Sequence, residues 1–398
     1  TFLIFIFAGT ILLSMPFSHE GDGFTDLMDA LFTATSAVTV TGLVVKDTAT
    51  YWSPVGQALI MIMIFIGGLS FMTLATFLLI LIGRRLSLMQ RLMARDSFQT
   101  NQLGGLVRLT VLIVLAAVAI QFVGFIALAW RFSVVYESLA EAIWHALFQA
   151  ISAFNGAGFD TITTGVSLSR FQTDVIVLTI IGMLIFIGSI SYLVMVDVVR
   201  IRRFSKFTLN TKLVLLLTLF LTFIGAFVFF LAEYSNPDTI GTLSAGNKAV
   251  VATFESISGR TAGFTTVHYG KTAQHTNFFF TVLMFIGGAS ASVAGGIKIN
   301  TIAVLLIAVT STISGRGHAS VFGRQIPDFQ VQRAIAVVVM GATLVFLLAL
   351  LLTISERDFA FIDLLFEVVS AFGTSGLSTG LTSDLSRWGQ LILIVSMF

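Results

Sequence analysis

The chain contains no cysteine, which excludes disulfides, thiolate metal sites and cysteine nucleophiles. Charge is nearly as scarce: only 11% of the 398 residues are Asp, Glu, Lys or Arg, against roughly a quarter in a soluble domain. The five histidines (His19, His145, His268, His275 and His318) are scattered without metal-ligand spacing. What remains is apolar, with 56% hydrophobic residues and a mean hydropathy of +0.98. The charges cluster, leaving apolar runs at 59–82, 109–130, 213–232, 276–294, 301–313 and 334–354. All but 301–313 approach or exceed the ~20 residues a helix needs to cross ~30 Å of hydrocarbon. No run alternates as an outer-membrane barrel strand would. The composition is that of an all-α integral membrane protein.

The stretch TVTGL (39–43) has the look of the TVGYG loops of potassium channels, whose carbonyls replace an ion's hydration shell. Such a cage needs four loops, and the chain repeats the pattern internally. LFTATSAVTVTGL (31–43), LFQAISAFNGAGF (147–159), TFESISGRTAGF (253–264) and LFEVVSAFGTSGL (365–377) fall into one register. Phe32–Gly42, Phe148–Gly158, Phe254–Gly263 and Phe366–Gly376 are separated by 10, 10, 9 and 10 positions. The copies recur about every 110 residues.

Each copy sits in the same frame. A first apolar span (1–15, 107–130, 208–232, 333–354) precedes a semi-polar segment (about 24–36, 137–153, 245–258, 361–371) too short to cross. The Gly loop follows, then a second span (55–83, 174–200, 276–311, 388 onward). Irregular backbone at membrane depth is tolerated only inside protein or beside water, so the short segments read as re-entrant half-helices. The expected architecture is four tandem helix–pore-helix–helix units, with eight spans and four half-helices, arranged pseudo-fourfold around one pore. The units are placed at 1–83, 105–203, 208–312 and 328–398, the first and last being incomplete at the chain ends. A single Gly-and-small-residue motif more often marks close helix packing; four at matching offsets favour a pore.

Three connections between units carry Arg84, Arg85, Arg91, Arg95 and Arg108; Arg200, Arg202, Arg203, Lys206 and Lys212; and Arg316, Arg324 and Arg333. The positive-inside rule makes these cytoplasmic. The Gly-loop side, expected to be extracellular, holds most of the acids, among them Glu20, Asp22, Asp26, Asp29, Glu137, Glu141, Asp160, Glu255, Asp363 and Glu367. Tyr51, Trp52, Trp130, Tyr136, Tyr234 and Trp388 flank the spans as an interfacial belt. An acidic vestibule and half-helix C-termini aimed at one point both favour cations.

The candidate ion-binding backbone is Val38, Thr39, Val40, Thr41 and Gly42; Phe154, Asn155, Gly156, Ala157 and Gly158; Arg260, Thr261, Ala262 and Gly263; and Phe372, Gly373, Thr374, Ser375 and Gly376. No acid occupies a loop core, which argues against a calcium-type carboxylate ring, and the small flanking residues suit carbonyl coordination. Arg260 would repel a cation, so it is expected to point away and tie to carbonyls or a carboxylate, with Glu255 a candidate.

The third unit's second span carries GGASASVAGG: Gly287, Gly288, Ala289, Ser290, Ala291, Ser292, Val293, Ala294, Gly295 and Gly296, with Lys298 just beyond. Four glycines at ~1 kcal/mol each against Ala should break the helix. An intramembrane lysine marks a functional site by default. The run reads as a gate loop, against the plainer alternative of a small-residue packing face with Lys298 snorkelling. Matching spans carry only IGGLS (66–70) and IGSIS (187–191), and one gate suffices for one pore.

The VTVTGL, NGAGF, GRTAGF and GTSGL loops, with GGASASVAGGIK in the third unit, resemble those of the Ktr/Trk/HKT potassium transporters over essentially the whole chain. The chain is most similar to the bacterial Ktr membrane subunit. The resemblance implies potassium uptake across the plasma membrane, often sodium-dependent, through one pore per chain in a multi-pass homodimer. It also implies a cytosolic ring of nucleotide-binding RCK-type subunits, with nucleotide bound only there, and no catalytic residues. Glycine at 42, 158, 263 and 376 goes with potassium preference, whereas plant relatives with Ser in the first loop tend toward sodium. The family's arginine in the fourth unit's second span falls beyond Phe398. Alternatives are a Trk-type subunit, the channel subunit of a potassium-pumping ATPase, or a secondary cation transporter with a midplane site, whose two inverted halves are not seen. An intramembrane serine protease at GTSG (373–376) lacks a histidine base, since none follows His318.

Overall fold

A computed structural model describes residues 2–69, 106–162 and 167–398, and the side chains of residues 106–109 are left aside. Among the described residues, three helices are long and apolar enough to cross a membrane: α4 (Leu106–Val135), α8 (Leu209–Glu233) and α12 (Asp328–Ser355). Large apolar side chains cover their outer faces, as Val123, Phe223 and Met340 do at 67%, 71% and 72% exposure. A lipid solvent suits such a surface; water does not.

The other helices are shorter. In chain order the described elements are α1 (Phe2–Ser14), α2 (Leu27–Thr39), α3 (Pro54–Gly68), α4, α5 (Leu139–Asn155), α6 (Val175–Ser189), α7 (Tyr192–Ile201), α8, α9 (Ala245–Thr261), α10 (Gln274–Phe285), α11 (Ile299–Ile313), α12, α13 (Phe361–Gly373) and α14 (Arg387–Met397). Side-chain caps start many of them: Asp26 accepts from Met28 N–H, Ser53 from Gly56 N–H, Asp174 from Ile176 and Val177 N–H, and Ser386 from Gly389 N–H. Each satisfies a donor that the first helical turn leaves free.

The short helices α2, α5, α9 and α13 each lie against a neighbour from the preceding stretch of chain. Helix α3 packs on α5, α6 on α9, and α10 on α13, while α14 returns to pack on α2. The packing order therefore closes on itself. Hydrogen bonds cross the same seams: Trp144 Nε1 donates to Gln57 Oε1 (2.8 Å) and Leu168 N–H to Thr265 O (2.8 Å). The exposed Arg387–Asp26 pair (3.0 Å) joins the start of α14 to the N-cap of α2, and at that exposure its energetic worth is small.

The expected second span over 174–200 is not one helix. It breaks after Ser189, and α7 leaves α6 at 100°. Its IGSIS sequence carries one glycine and two serines, and the helix ends where Ile190 turns extended (φ −88°, ψ 140°). The expected span over 55–83 is seen through Gly68; its remainder, and Arg84, Arg85, Arg91 and Arg95 of the connection after it, lie outside the described residues.

Two further differences concern the surface. Trp52, expected in an interfacial belt, is 1% exposed and sits in the interior, whereas Trp130, Tyr234 and Trp388 do face outward. A two-stranded hairpin, β1 (Ser320–Val321) and β2 (Arg324–Gln325), joins α11 to α12. Its turn residues Phe322 and Gly323 both have positive φ, as a type I′ hairpin turn requires.

Candidate pore loops and the loop beneath them

Helices α2, α5 and α13 end in one way. The residue two before the loop glycine turns left-handed (Val40, Gly156 and Thr374), and its N–H bonds back to carbonyls in the last helical turn. The next N–H reaches the carbonyl of a buried serine: Thr41 to Ser36 (2.8 Å), Ala157 to Ser152 (2.8 Å) and Ser375 to Ser370 (3.0 Å). The third copy is one residue shorter and absorbs the loss by omitting the left-handed residue. There α9 continues to Thr261, Ala262 sits at φ −145°, and Ala262 and Gly263 both bond to Ser258 O (2.8 and 3.2 Å).

This serine recurs in every copy, one turn or so before the glycine, and pattern-matching on Phe and Gly passes over it. Ser152 Oγ donates to Phe159 O (2.8 Å) and Ser258 Oγ to Phe264 O (2.6 Å), while Ser36 Oγ accepts from Gly42 N–H (3.0 Å). In these three copies the hydroxyl pins the outgoing strand of the loop to its own helix, and in the fourth Ser370 Oγ lies 3.4 Å from Ser375 Oγ. Its signal in the sequence is a Ser five or six positions before each loop glycine.

The four loop glycines meet. All have positive φ (+90°, +68°, +74° and +74° for Gly42, Gly158, Gly263 and Gly376). A Cβ on Gly42 would strike Ala157 O; on Gly158, Ala262 O; on Gly263, Ser375 O; and on Gly376, Thr41 O, in every case under 3.0 Å. Each glycine lies against the carbonyl just before the next loop's glycine, and the fourth returns to the first. A side chain at any of the four positions would force the ring apart. A cavity of about 350 Å³ opens onto this ring, and all four glycines line it together with Asp47, Thr265 and Ser378.

Behind the ring, buried acids brace the loops instead of facing the cavity. Glu255 is fully buried and accepts from Thr266 N–H (2.7 Å), Thr266 Oγ1 (2.9 Å), Thr265 Oγ1 (3.0 Å) and Tyr269 Oη (3.1 Å). Glu367 does the same in the fourth copy, accepting from Ser378 Oγ (2.6 Å), Thr379 N–H (3.0 Å) and Thr382 Oγ1 (2.7 Å). In the second copy the helix position is Gln149 and the acid sits in the loop: Asp160 accepts from Gln149 Nε2 and from Ile162 N–H (2.7 Å). These acids, counted from sequence toward an acidic outer face, spend their charge on donors inside the protein.

Glu255 is therefore not the partner of Arg260. Arg260 lies in the last turn of α9, 2% exposed, and its Nε and Nη1 have no hydrogen-bond partner among the described residues. Sequence spacing made Glu255 a neighbour, but five residues along a helix place the two side chains on different faces.

Under the ring, α10 stops at Phe285 and α11 starts at Ile299, so residues 286–298 form a non-helical loop. It has internal order: Gly287 N–H bonds to Ile297 O (3.0 Å) and Ile299 N–H to Gly288 O (3.0 Å). Lys298 Nζ donates to Ala294 O, which occupies the charge within the loop itself. The loop also reaches two other copies. Ala289 N–H bonds to Ser189 O (3.0 Å), at the break between α6 and α7, and Gly295 N–H to Thr374 Oγ1 (3.1 Å), in the fourth Gly loop. Asn300 links its far end to α8, accepting from Ser290 N–H (2.9 Å) and donating to Asn210. Gly188 itself fits against Phe154 O, where a Cβ has no room.

Comparison with known proteins shows the family. Residues 2–398 match the family model described as TrkH, cation transport protein. The "Ktr system potassium uptake protein B" of Bacillus subtilis is 38% identical over 397 residues, covering 100% of this chain and 88% of that protein. The "Potassium/sodium uptake protein NtpJ" of Enterococcus hirae is 36% identical, with 100% and 88% covered. The crystal structure of the potassium transporter TrkH from Vibrio parahaemolyticus superposes with a TM-score of 0.73 at 19% identity, covering 100% of this chain and 81% of that one. The chain belongs to the TrkH family of cation transport proteins, which are membrane ion transporters and not enzymes, and within it is similar to the bacterial Ktr potassium uptake proteins.

Proposed function

We propose that the chain takes up potassium through a pore whose selectivity filter is the ring of four Gly loops. The observation that carries this reading is the closure of Gly42, Gly158, Gly263 and Gly376 in chain order, each against the carbonyl before the next. Backbone oxygens there would stand in for the water shell of K+. The short helices α2, α5, α9 and α13 end at the same ring, so their partial negative C-termini favour a cation. The names of the relatives, a potassium uptake protein and a potassium/sodium uptake protein, support K+ as substrate and Na+ as a second ion that drives or competes.

In this reading the four units (1–83, 105–203, 208–312 and 328–398) surround one pore with eight spans and four half-helices. The loop 287–296 is the gate, held shut by its bonds to Ser189 and Thr374. The filter faces outside the cell, across the plasma membrane. The exposed Arg200, Arg202, Arg203, Lys206, Arg316, Arg324 and Arg333 face the cytosol and suit docking of an acidic, nucleotide-binding RCK-type ring on a homodimer. No covalent cofactor enters the scheme.

The test is rubidium or potassium uptake by purified protein in liposomes, with sodium as competitor. Selective, saturable uptake is expected. Uptake that sodium and potassium share equally would overturn the filter reading.

A further inference from the structure

Helices α8 and α11 leave an apolar groove of about 230 Å³ between them. On α8 its wall is Leu213, Leu216, Leu217 and Phe220, the i, i+3, i+4, i+7 stripe of one helical face. On α11 it is Ala303, Leu306 and Ile307, where the small Ala303 provides the width. No polar side chain lines it, so a peptide or polar ligand would lose hydrogen bonds by entering. The groove is open to the outer surface, with Leu216, Phe220 and Leu306 at 46%, 56% and 49% exposure.

One end of the groove is basic. Lys212 lies one turn before Leu216 on the same stripe, and Arg203 and Lys206 stand exposed just ahead of α8. Lys212 Nζ sits over the rings of both Phe204 (5.7 Å) and Phe322 (5.3 Å), and these rings are 46% and 52% exposed. Basic residues at the cytoplasmic end of a spanning helix lie at the level of lipid headgroups. An apolar slot entered from lipid and ending at lysines is complementary to an anionic lipid.

We infer that this groove holds one acyl chain of an anionic phospholipid, its phosphate lying at Lys206 and Lys212. The position matters because α11 directly follows the loop 286–298. Asn300, in the first turn of α11, bonds both to that loop and to Asn210 on α8. A chain wedged between α8 and α11 acts on the joint that carries the loop, so bound lipid sets how readily the loop moves.

Only the orientation of the basic end is taken from the proposed function; lipid retention is read without ion flux, so the two can fail separately. Native mass spectrometry of the detergent-purified protein, titrated with phosphatidylglycerol or phosphatidylcholine, is the direct assay. The wild type should retain phosphatidylglycerol about tenfold better. Ala303→Trp fills the slot and should lose one bound lipid per chain. The pair Lys206→Gln/Lys212→Gln, of an exposed and a half-buried lysine, should bind both lipids alike, which keeps the test sharp if the Trp variant folds poorly. Equal retention of the two lipids by the wild type, or full retention by Ala303→Trp, would overturn the inference. So would a changed oligomeric state in Ala303→Trp without loss of lipid, which would assign the groove to a second copy of the chain.

Discussion

Replacing Gly263 by alanine puts the ring under a defined load. The residue sits at φ +74°, where an L-residue costs about 1–2 kcal/mol more than glycine. Its new methyl would lie 2.6 Å from Ser375 O and 2.8 Å from Gly376 Cα. Ordinary contact begins near 3.4 Å, so the Ser375 carbonyl must retreat by roughly 0.8 Å or the loop must rotate. Both neighbours are backbone atoms and neither can swing aside like a side-chain tip. If about 1.4 kcal/mol of the preference for potassium resides in that quadrant, selectivity falls about tenfold. Rubidium uptake into liposomes against graded sodium measures it directly. Gly246→Ala is the control: that glycine has ordinary φ and no heavy atom within 4 Å of a built Cβ. Wild-type flux and an unchanged rubidium-to-sodium ratio in Gly263→Ala would refute the reasoning, and so would an equal loss in Gly246→Ala.

Further outcomes follow from the same geometry. Gly42→Ser should relax potassium-over-sodium selectivity, because its Cβ strikes Ala157 O at φ +90°; flux assays with both ions read the change. Deleting residues 289–294 removes the bond from Ala289 to Ser189 and shortens the loop that reaches Thr374, so uptake should rise; a folded deletion variant that conducts less would defeat the gate assignment. Glu367→Leu strands the buried Thr379 N–H and two hydroxyls, at about 1–3 kcal/mol for the N–H alone, whereas Glu367→Gln keeps an acceptor. Thermal unfolding in detergent should therefore rank wild type, Gln and Leu in that order.

The short helices were legible because their length and their Phe-to-Gly register repeat four times. Helices α2, α5, α9 and α13 end within about three residues of the expected limits. The interruption at 286–298 was legible for a local reason as well, since four glycines and two serines leave little to hold a helix. Features that depend on distant partners were not. The bracing role of Glu255 requires Thr265, Thr266 and Tyr269 to fold back over α9, and nothing in the local spacing separates that from a bond to Arg260. The break at Ser189 looked too weak for one glycine, yet Gly188 is held against Phe154 O and Ser189 O receives the N–H of Ala289 from another copy. Trp52 reads as an interfacial residue by type, and only the fold shows that it is interior. The cyclic contact of the glycines was implied by their number, but their order around the ring is a property of the packing.

Crystals grown in rubidium would place the ion itself. Anomalous density among the carbonyls of Thr41, Ala157, Ala262 and Ser375, next to the four glycines, is the expected result. Rubidium bound instead at carboxylates such as Asp47, with none among those carbonyls, would contradict a filter built from the main chain.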